Sequence, residues 1–489
     1  MIEPWVVVTL VAVGYLGLSL WVGLASGRKA SAGTEGYVAG DRNLGFLVLY
    51  FVLGASIFSA FAFLGGPGFA YSRGAAAFYI LAYGTFGLVP WYFFGPRVAK
   101  LGRRFGYVTQ AELFAHRFES PALSAALAVI SLIAFVPYLT LQIKGAGYVF
   151  NVVTEGRVPI WLGAAIAYGV VLLYVFKSGV MGVAWTNTFQ GIFMMVLAWG
   201  LGLYLPYKLY GGVTAMFDTL ASELPEMLAA PGLDGAGGAW TWGAYTSAIL
   251  VSAIGFSMWP HYFMKIYTAR SIRTLKQSIV FYPTFQIFLI PILFIGFSGV
   301  LRFPDVAPAD TILPTILMSL DLPAVVIGLF CAGALAASMS TGDALLHAAG
   351  SVLVKDFYQA LFRPRMTDRA QTLAIRATVV VVSAIAYYIA VVSDLSLVLM
   401  LLLAYGFICQ IFPVVVVTFL WPRATPAGVL AGVATGCLTA VVWNLVPALQ
   451  WQGIHPGVWA LAANTVVMVA VSLATRPMDE EHVAQFVVE

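Results

Sequence analysis

Residues Cys331–Gly350 read CAGALAASMSTGDALLHAAG. The run is apolar enough for a bilayer, yet it carries Ser338, Ser340, Thr341, Asp343 and His347. An Asp at membrane depth costs about 2.5–3.5 kcal/mol on insertion scales, so such residues face a bundle interior or a water-filled path and mark ion or solute routes. Residues three and four apart share a helix face. Ala337, Ser340 and Thr341 therefore point one way, and Asp343 and His347 continue the neighbouring row. A hard cation wants oxygen ligands, which two adjacent hydroxyls and a freed carbonyl supply. The competing structural account has the hydroxyls bonded to their own i−4 carbonyls and Asp343 paired with a lysine.

The surrounding composition sets the frame. Of 489 residues, 61% are hydrophobic and 9% charged, with a mean hydropathy of +0.92. Soluble domains carry about 25% charged residues, so this is an all-α polytopic membrane protein. Apolar runs near 20 residues without period-2 alternation exclude a transmembrane barrel. Cys331, Cys409 and Cys437 all fall in apolar spans and imply no disulfide framework. No metal-ligand spacing, phosphate-binding loop or nucleophile elbow occurs, and no basic run points to nucleic acid. No nucleophile–base–orienter set suggests an enzyme. Pro4–Ser26 follows Glu3 rather than a basic region and is expected to be a retained span, not a signal peptide.

Thirteen spans are expected, near 4–26, 45–70, 75–96, 121–150, 158–177, 185–206, 241–263, 279–301, 322–354, 372–393, 395–420, 427–447 and 456–475. With the N-terminus outside and the C-terminus inside, twenty of the 25 basic residues fall in inside loops, among them Arg28, Lys29, Lys177, Lys265, Arg363 and Arg365. Only Arg73, Arg157, Lys208 and Arg302 fall outside, and Lys144 is the one basic residue placed within the membrane. In the outside loop 207–240, amphipathic Thr214–Leu228 is either a helix lying on the membrane or a vestibule cover, followed by a Gly-rich linker, Pro231–Gly238. The tail after Pro477 is too short for a signalling domain. Gly428, Gly432 and Gly436 form a small-residue stripe for close helix contact, within the chain rather than in a dimer, which fits a monomer.

The span 45–70 carries Gly54, Ser56 and Ser59 in mid-membrane, with Gly65–Gly68 (GGPG) following; five spans later Ser252–Pro260 reads SAIGFSMWP. Unwound backbone at membrane depth is tolerated only where it lines a cavity or is buried in protein. Paired interruptions in two halves of a chain point to a transporter site; glycine used only for close packing is the alternative.

These stretches resemble a known family. TEGYVAGDRNLG (Thr34–Gly45), GASIFSAFAFLGGPG, GVAWTNTFQG (Gly182–Gly191) and AASMSTGD (Ala336–Asp343) are similar to segments of the sodium:solute symporter family. The resemblance implies a LeuT-like fold: a leading helix (4–26), two inverted five-helix repeats (45–206 and 241–420) and two trailing helices (427–475). It implies alternating access driven by sodium. Carried over by residue, the sodium site falls on the carbonyls of Ala55, Phe58 and Ala337 and the hydroxyls of Ser340 and Thr341. The solute pocket would draw on Ser59, Phe61, Trp259 and His261. Where the family often has Trp-Thr-Asp, this chain has Trp185-Thr186-Asn187, while a carboxylate stands at Asp343. Asn187 and Asp343 are therefore candidates for a second cation or its exit path. In the rival account, the one preferred, Asp343 pairs with Lys177 or His347 and one sodium moves per cycle.

Lys144, with Gln142 beside it, would attract an anionic solute if it faces the pocket; if it faces out, its stem would snorkel to the interface. RFGYVTQAELFAHRF (Arg104–Phe118), PYLTLQ and MWPH (Met258–His261) look most like bacterial monocarboxylate permeases. A small carboxylate is the first expectation, with amino acids, pantothenate and sugars as alternatives. His347 keeps proton coupling open. A sensor or channel built on the same helices is the competing class. The location expected is the cell membrane, the cytoplasmic membrane in a prokaryote.

Overall fold

The computed structural model describes residues 3–27, 33–234, 238–362, 366–392, 397–446, 449 and 451–487. Arg28, Lys29, Arg363 and Arg365 of the charge pattern, and 235–237 of the Gly-rich linker, lie outside them. The elements that frame the site are α1 (Pro4–Ser26), α2 (Phe46–Ala55), α3 (Gly66–Arg73), α4 (Val89–Phe105), α5 (Gln110–Arg117), α6 (Pro121–Val153), α7 (Ile160–Tyr210), α8 (Trp242–Phe256), α9 (Pro260–Thr268), α10 (Ile272–Gln286), α11 (Ala324–Ser351), α12 (Asp368–Val392), α13 (Leu397–Ile408), α14 (Pro426–Leu445) and α15 (Pro456–Ala474).

Among the described residues there is no β-strand, and ten helices are long and apolar enough to cross a membrane. Ten continuous helices and thirteen expected spans differ for visible reasons. α7 has 51 residues, about 77 Å at 1.5 Å per residue against about 30 Å of hydrocarbon. Gly179, at φ +55° and ψ −147°, breaks it between the spans expected at 158–177 and 185–206. A side chain is disfavoured at that φ, and an added Cβ would lie 2.5 Å from the Tyr37 carbonyl oxygen. Two other spans are split mid-membrane into pieces too short to cross alone.

α11 is the axis of the bundle. Every residue from Phe330 to Val352 is buried, as expected of a helix apolar on all sides. It packs against α1, α6, α7 and α12. α14 and α15 pair through the glycine stripe: a Cβ on Gly428 would lie 2.0 Å from Ser472 Oγ, and one on Gly432 2.6 Å from Met468 Cβ. The stripe thus serves packing within the chain.

The amphipathic piece packs against the rest of the chain. Its helix, Val213–Glu223, buries Met216 and Leu220, and Phe217 sits 5.5 Å from Phe294 and 5.3 Å from Phe297. His347 is buried, with Nε2 2.9 Å from the Tyr37 carbonyl. At the chain's end, Phe486 is fully buried, His482 Nε2 lies 3.0 Å from the His116 carbonyl, and Arg97 donates to the carbonyls of Gln485 and Val487.

Candidate functional site

α2 stops at Ala55, residues 56–59 are non-helical, and the helix resumes at Ala60 through a π-turn, Phe61–Gly65, into α3. Such a break orphans backbone groups that water cannot satisfy in a membrane. Here side chains meet them. The Ala60 N–H donates to Gln142 Oε1 at 2.8 Å and the Phe61 N–H to Ser59 Oγ at 3.1 Å. On the carbonyl side, Leu53 accepts from Tyr262 Oη at 2.8 Å, Ala55 from Ser340 Oγ at 2.9 Å and Ser56 from Thr341 Oγ1 at 2.9 Å. Val52 accepts from Lys265 Nζ at 3.3 Å. Gly54 lets α10 approach, since a Cβ there would lie 2.4 Å from the Phe285 ring.

Of the residues assigned to sodium, Ala55, Ala337, Ser340 and Thr341 come together. Ser340 Oγ lies between the Ala55 and Ala337 carbonyls, 3.2 Å from the latter. Phe58 stands in the break, its N–H on the Gly54 carbonyl at 3.3 Å and its ring 3.7 Å from that of Phe288. The hydroxyls reach across to the broken helix rather than closing only on their own helix.

Asp343 is fully buried. Its Oδ2 accepts from Tyr174 Oη at 2.8 Å and Thr186 Oγ1 at 3.2 Å, while Oδ1 has no partner among the described residues. His347 is taken by Tyr37, and Lys177 is exposed at a cavity with Arg376. One reading is corrected here: Lys265, expected in an inside loop, is buried on α9 beside the broken helix. It donates to Val52 O and to Ser56 Oγ, with its ammonium 5.0 Å from the Tyr262 ring centroid. Asn187 Nδ2 donates to the same Ser56 Oγ at 2.9 Å.

The second break falls where expected, with Ser257–Trp259 between α8 and α9. Trp259 and His261 meet Tyr138 at ring distances of 4.8 and 6.0 Å, and Phe135 at 6.1 and 5.9 Å. Tyr405 closes the cluster, 5.7 Å from Trp259. Both ring nitrogens of His261 and Nε2 of Gln142 are buried without partners among the described residues. Phe61 is buried in the π-turn that follows Ser59. Lys144 is placed differently from the other candidates: its ammonium lies 5.7 Å from the Tyr148 ring centroid. Tyr138 carried a readable signal in sequence, as a tyrosine one turn before Gln142 on the same face of α6; Lys265 did not.

A broken helix whose freed carbonyls meet hydroxyls of a buried neighbour, opposite a second broken helix, is the build of a secondary active transporter. Known proteins agree. The family model described as "Sodium:solute symporter family" matches residues 37–436. The uncharacterized symporter YhjB of Bacillus subtilis (strain 168) is 30% identical, over 95% of this chain and 96% of its own. A monocarboxylate transport permease protein of Rhizobium johnstonii is 27% identical, over 88% and 89%. Among solved structures, the substrate-bound outward-open state of a Na+-coupled sialic acid symporter superposes with a TM-score of 0.80 at 16% identity, covering 97% of this chain and 98% of that one, a likeness of fold. The chain belongs to the sodium:solute symporter family. It is a multi-pass integral membrane protein, a symporter and not an enzyme.

Proposed function

We propose that this chain couples inward sodium flow to the uptake of a small organic solute, with a monocarboxylate as first choice. The observation that carries the reading is the contact between Ser340 and Thr341 on α11 and the carbonyls of Ala55 and Ser56 in the break. Those oxygens fit a hard cation: all are neutral, clustered and already within bonding distance of one another. Ala55, Ala337, Ser340 and Thr341 would hold sodium, with Phe58 contributing its carbonyl as the family resemblance implies. The solute would sit against Trp259, His261, Phe61 and Ser59, where one ring N–H of His261 and Nε2 of Gln142 await acceptors. A carboxylate supplies such acceptors, and the similarity to a monocarboxylate permease supports the same class. Lys144 would act from a distance, drawing an organic anion towards the site.

The arrangement proposed is thirteen spans with the N-terminus outside, one leading helix, repeats at 45–206 and 241–420, and trailing helices at 427–475, acting as a monomer. The charge asymmetry of the loops supports it. Amino acids, pantothenate and sugars are the alternative solutes. Uptake into proteoliposomes under an imposed sodium or proton gradient, with a panel of these solutes, tests the reading. Accumulation of a monocarboxylate driven by sodium is expected. Accumulation driven only by protons, or downhill flux with no gradient dependence, would replace it with a proton-coupled carrier or a channel.

A further inference from the structure

Where three apolar stretches meet their first charges, the chain leaves a cavity of about 700 Å³. Its walls come from the end of α1, from Tyr37, from α7 at Lys177 and Ser178, and from the first turns of α12. Each wall is a boundary in the sequence. The apolar run of α1 ends at Ser26, the first run of α7 reaches Lys177, and the run of α12 begins beyond Arg376. The cavity therefore lies at the level of a membrane surface.

Its charge is lopsided. Lys177, Arg369 and Arg376 line it against one carboxylate, Asp368, and among the described residues none of the four makes an ion pair. Arg376 is held in place: Nη2 donates to the Lys177 carbonyl at 3.4 Å, and the guanidinium lies 5.2 Å from the Tyr37 ring centroid and 5.5 Å from that of Phe176. Its Nε is buried without a partner among the described residues. Ser178 is only 4% exposed and lines the same cavity, its Oγ likewise unpartnered. An ammonium, two guanidinium groups and an open hydroxyl form an array of donors short of acceptors, which suits an anion with several oxygens.

Just beyond the cavity both walls turn apolar. Leu173 stands one turn into the membrane from Lys177, and Val380 one turn in from Arg376 on the same face. With Phe176 they are exposed on the outside of the bundle. A phosphate that carries alkyl chains matches both halves of this surface.

We infer that the cavity binds the phosphate headgroup of an anionic phospholipid, with its acyl chains lying along Leu173, Phe176 and Val380. Basic pockets between helices at a membrane surface take such headgroups. The site depends on the span ends proposed above and not on which ion or solute is carried. Tyr37 braces it against the axis of the bundle: its hydroxyl donates to the Val175 carbonyl at 2.8 Å, and its own carbonyl meets His347 of α11 at 2.9 Å.

The test titrates the purified, delipidated full chain in neutral detergent with phosphatidylglycerol, and separately with phosphatidylcholine of the same acyl chains, counting lipids bound per chain by native mass spectrometry. One phosphatidylglycerol per chain is expected, held at least about tenfold more tightly than phosphatidylcholine. Lys177 and Arg369 are exposed, so Lys177→Gln/Arg369→Gln should fold. At about fivefold per basic residue, it should weaken phosphatidylglycerol about 25-fold. Arg104→Gln/Arg270→Gln removes two exposed cations elsewhere on the face proposed as cytoplasmic, and should change the affinity by less than about twofold. Equal binding of the two lipids would overturn the inference. So would a folded Lys177→Gln/Arg369→Gln protein of unchanged affinity, or an equal loss in the Arg104/Arg270 pair. Displacement of the lipid by millimolar inorganic phosphate would also overturn it, leaving a pocket for a free anion.

Discussion

Replacing Ser340 and Thr341 by alanine is the most direct assault on the proposed ion site. Each hydroxyl is the partner of one freed carbonyl, at 2.9 Å in both cases. A hydrogen-bonding or ligating contact to a charged group contributes roughly 1.5–3 kcal/mol. Each 1.4 kcal/mol is tenfold in an equilibrium constant. Ser340→Ala should therefore weaken half-saturation by sodium roughly ten- to hundredfold, and the double variant further. Each alanine also strips a buried carbonyl of its partner, at a cost of about 1–3 kcal/mol, so thermal unfolding in detergent must accompany the flux assay. Ser338→Ala provides the comparison. Its hydroxyl serves the Gln142 carbonyl at 2.6 Å, so stability should fall while sodium dependence stays. The assay is solute uptake into proteoliposomes across a range of external sodium. A folded Ser340→Ala/Thr341→Ala protein whose sodium half-saturation moves less than about twofold would refute the ligand assignment.

Gln142→Leu removes the acceptor of the Ala60 N–H and should destabilise the chain by about 1–3 kcal/mol, with slower uptake, read by thermal unfolding and initial rates. At Gly342, an added Cβ would lie 2.2 Å from the Tyr168 hydroxyl, which donates to the Ser338 carbonyl. Gly342→Val should displace that tyrosine and lower the unfolding temperature sharply, whereas Tyr168→Phe/Gly342→Ala should recover part of the loss. On the cytoplasmic side proposed for α5, burial pushes the Glu112 carboxyl up. The Lys355 ammonium at 2.6 Å and the Val108 and Thr109 N–H groups outweigh that and hold it below its ordinary value. A depressed carboxyl stabilises the fold above its unfolded value, near 4.3, and that contribution disappears as pH falls through the lower folded value. Unfolding temperature measured from pH 7 downward should show this acid loss, and Glu112→Gln should be less stable at neutral pH and flatter in acid.

Much of this architecture can be read from residues alone, because the bilayer punishes exceptions. Polar residues inside apolar runs must have a reason, and Ser340, Thr341 and the break near Ser56–Ser59 all had one. The pairing of that break with Ser257–Trp259 was legible for the same cause. Lys265 was not. It lies at the cytoplasmic end of an expected span, where loop lysines abound, and only the fold shows that the second break turns α9 inward and carries it beside Ser56. Asp343 was legible as a buried carboxylate, but its partners Tyr174 and Thr186 come from both sides of the Gly179 break. Lys144 shows the converse. Its depth in the chain suggested the pocket, yet its ammonium lies over the Tyr148 ring.

The enclosure of α11 on every side makes it an unusually clean place for reporter thiols. From Phe330 to Val352 no side chain faces lipid, and the native thiols Cys331, Cys409 and Cys437 all sit within helices rather than loops. A cysteine introduced along this stretch that reacts with a water-soluble reagent can have been reached only through an aqueous passage inside the protein. The positions labelled with and without sodium would then trace, step by step, the path by which water and solute gain entry.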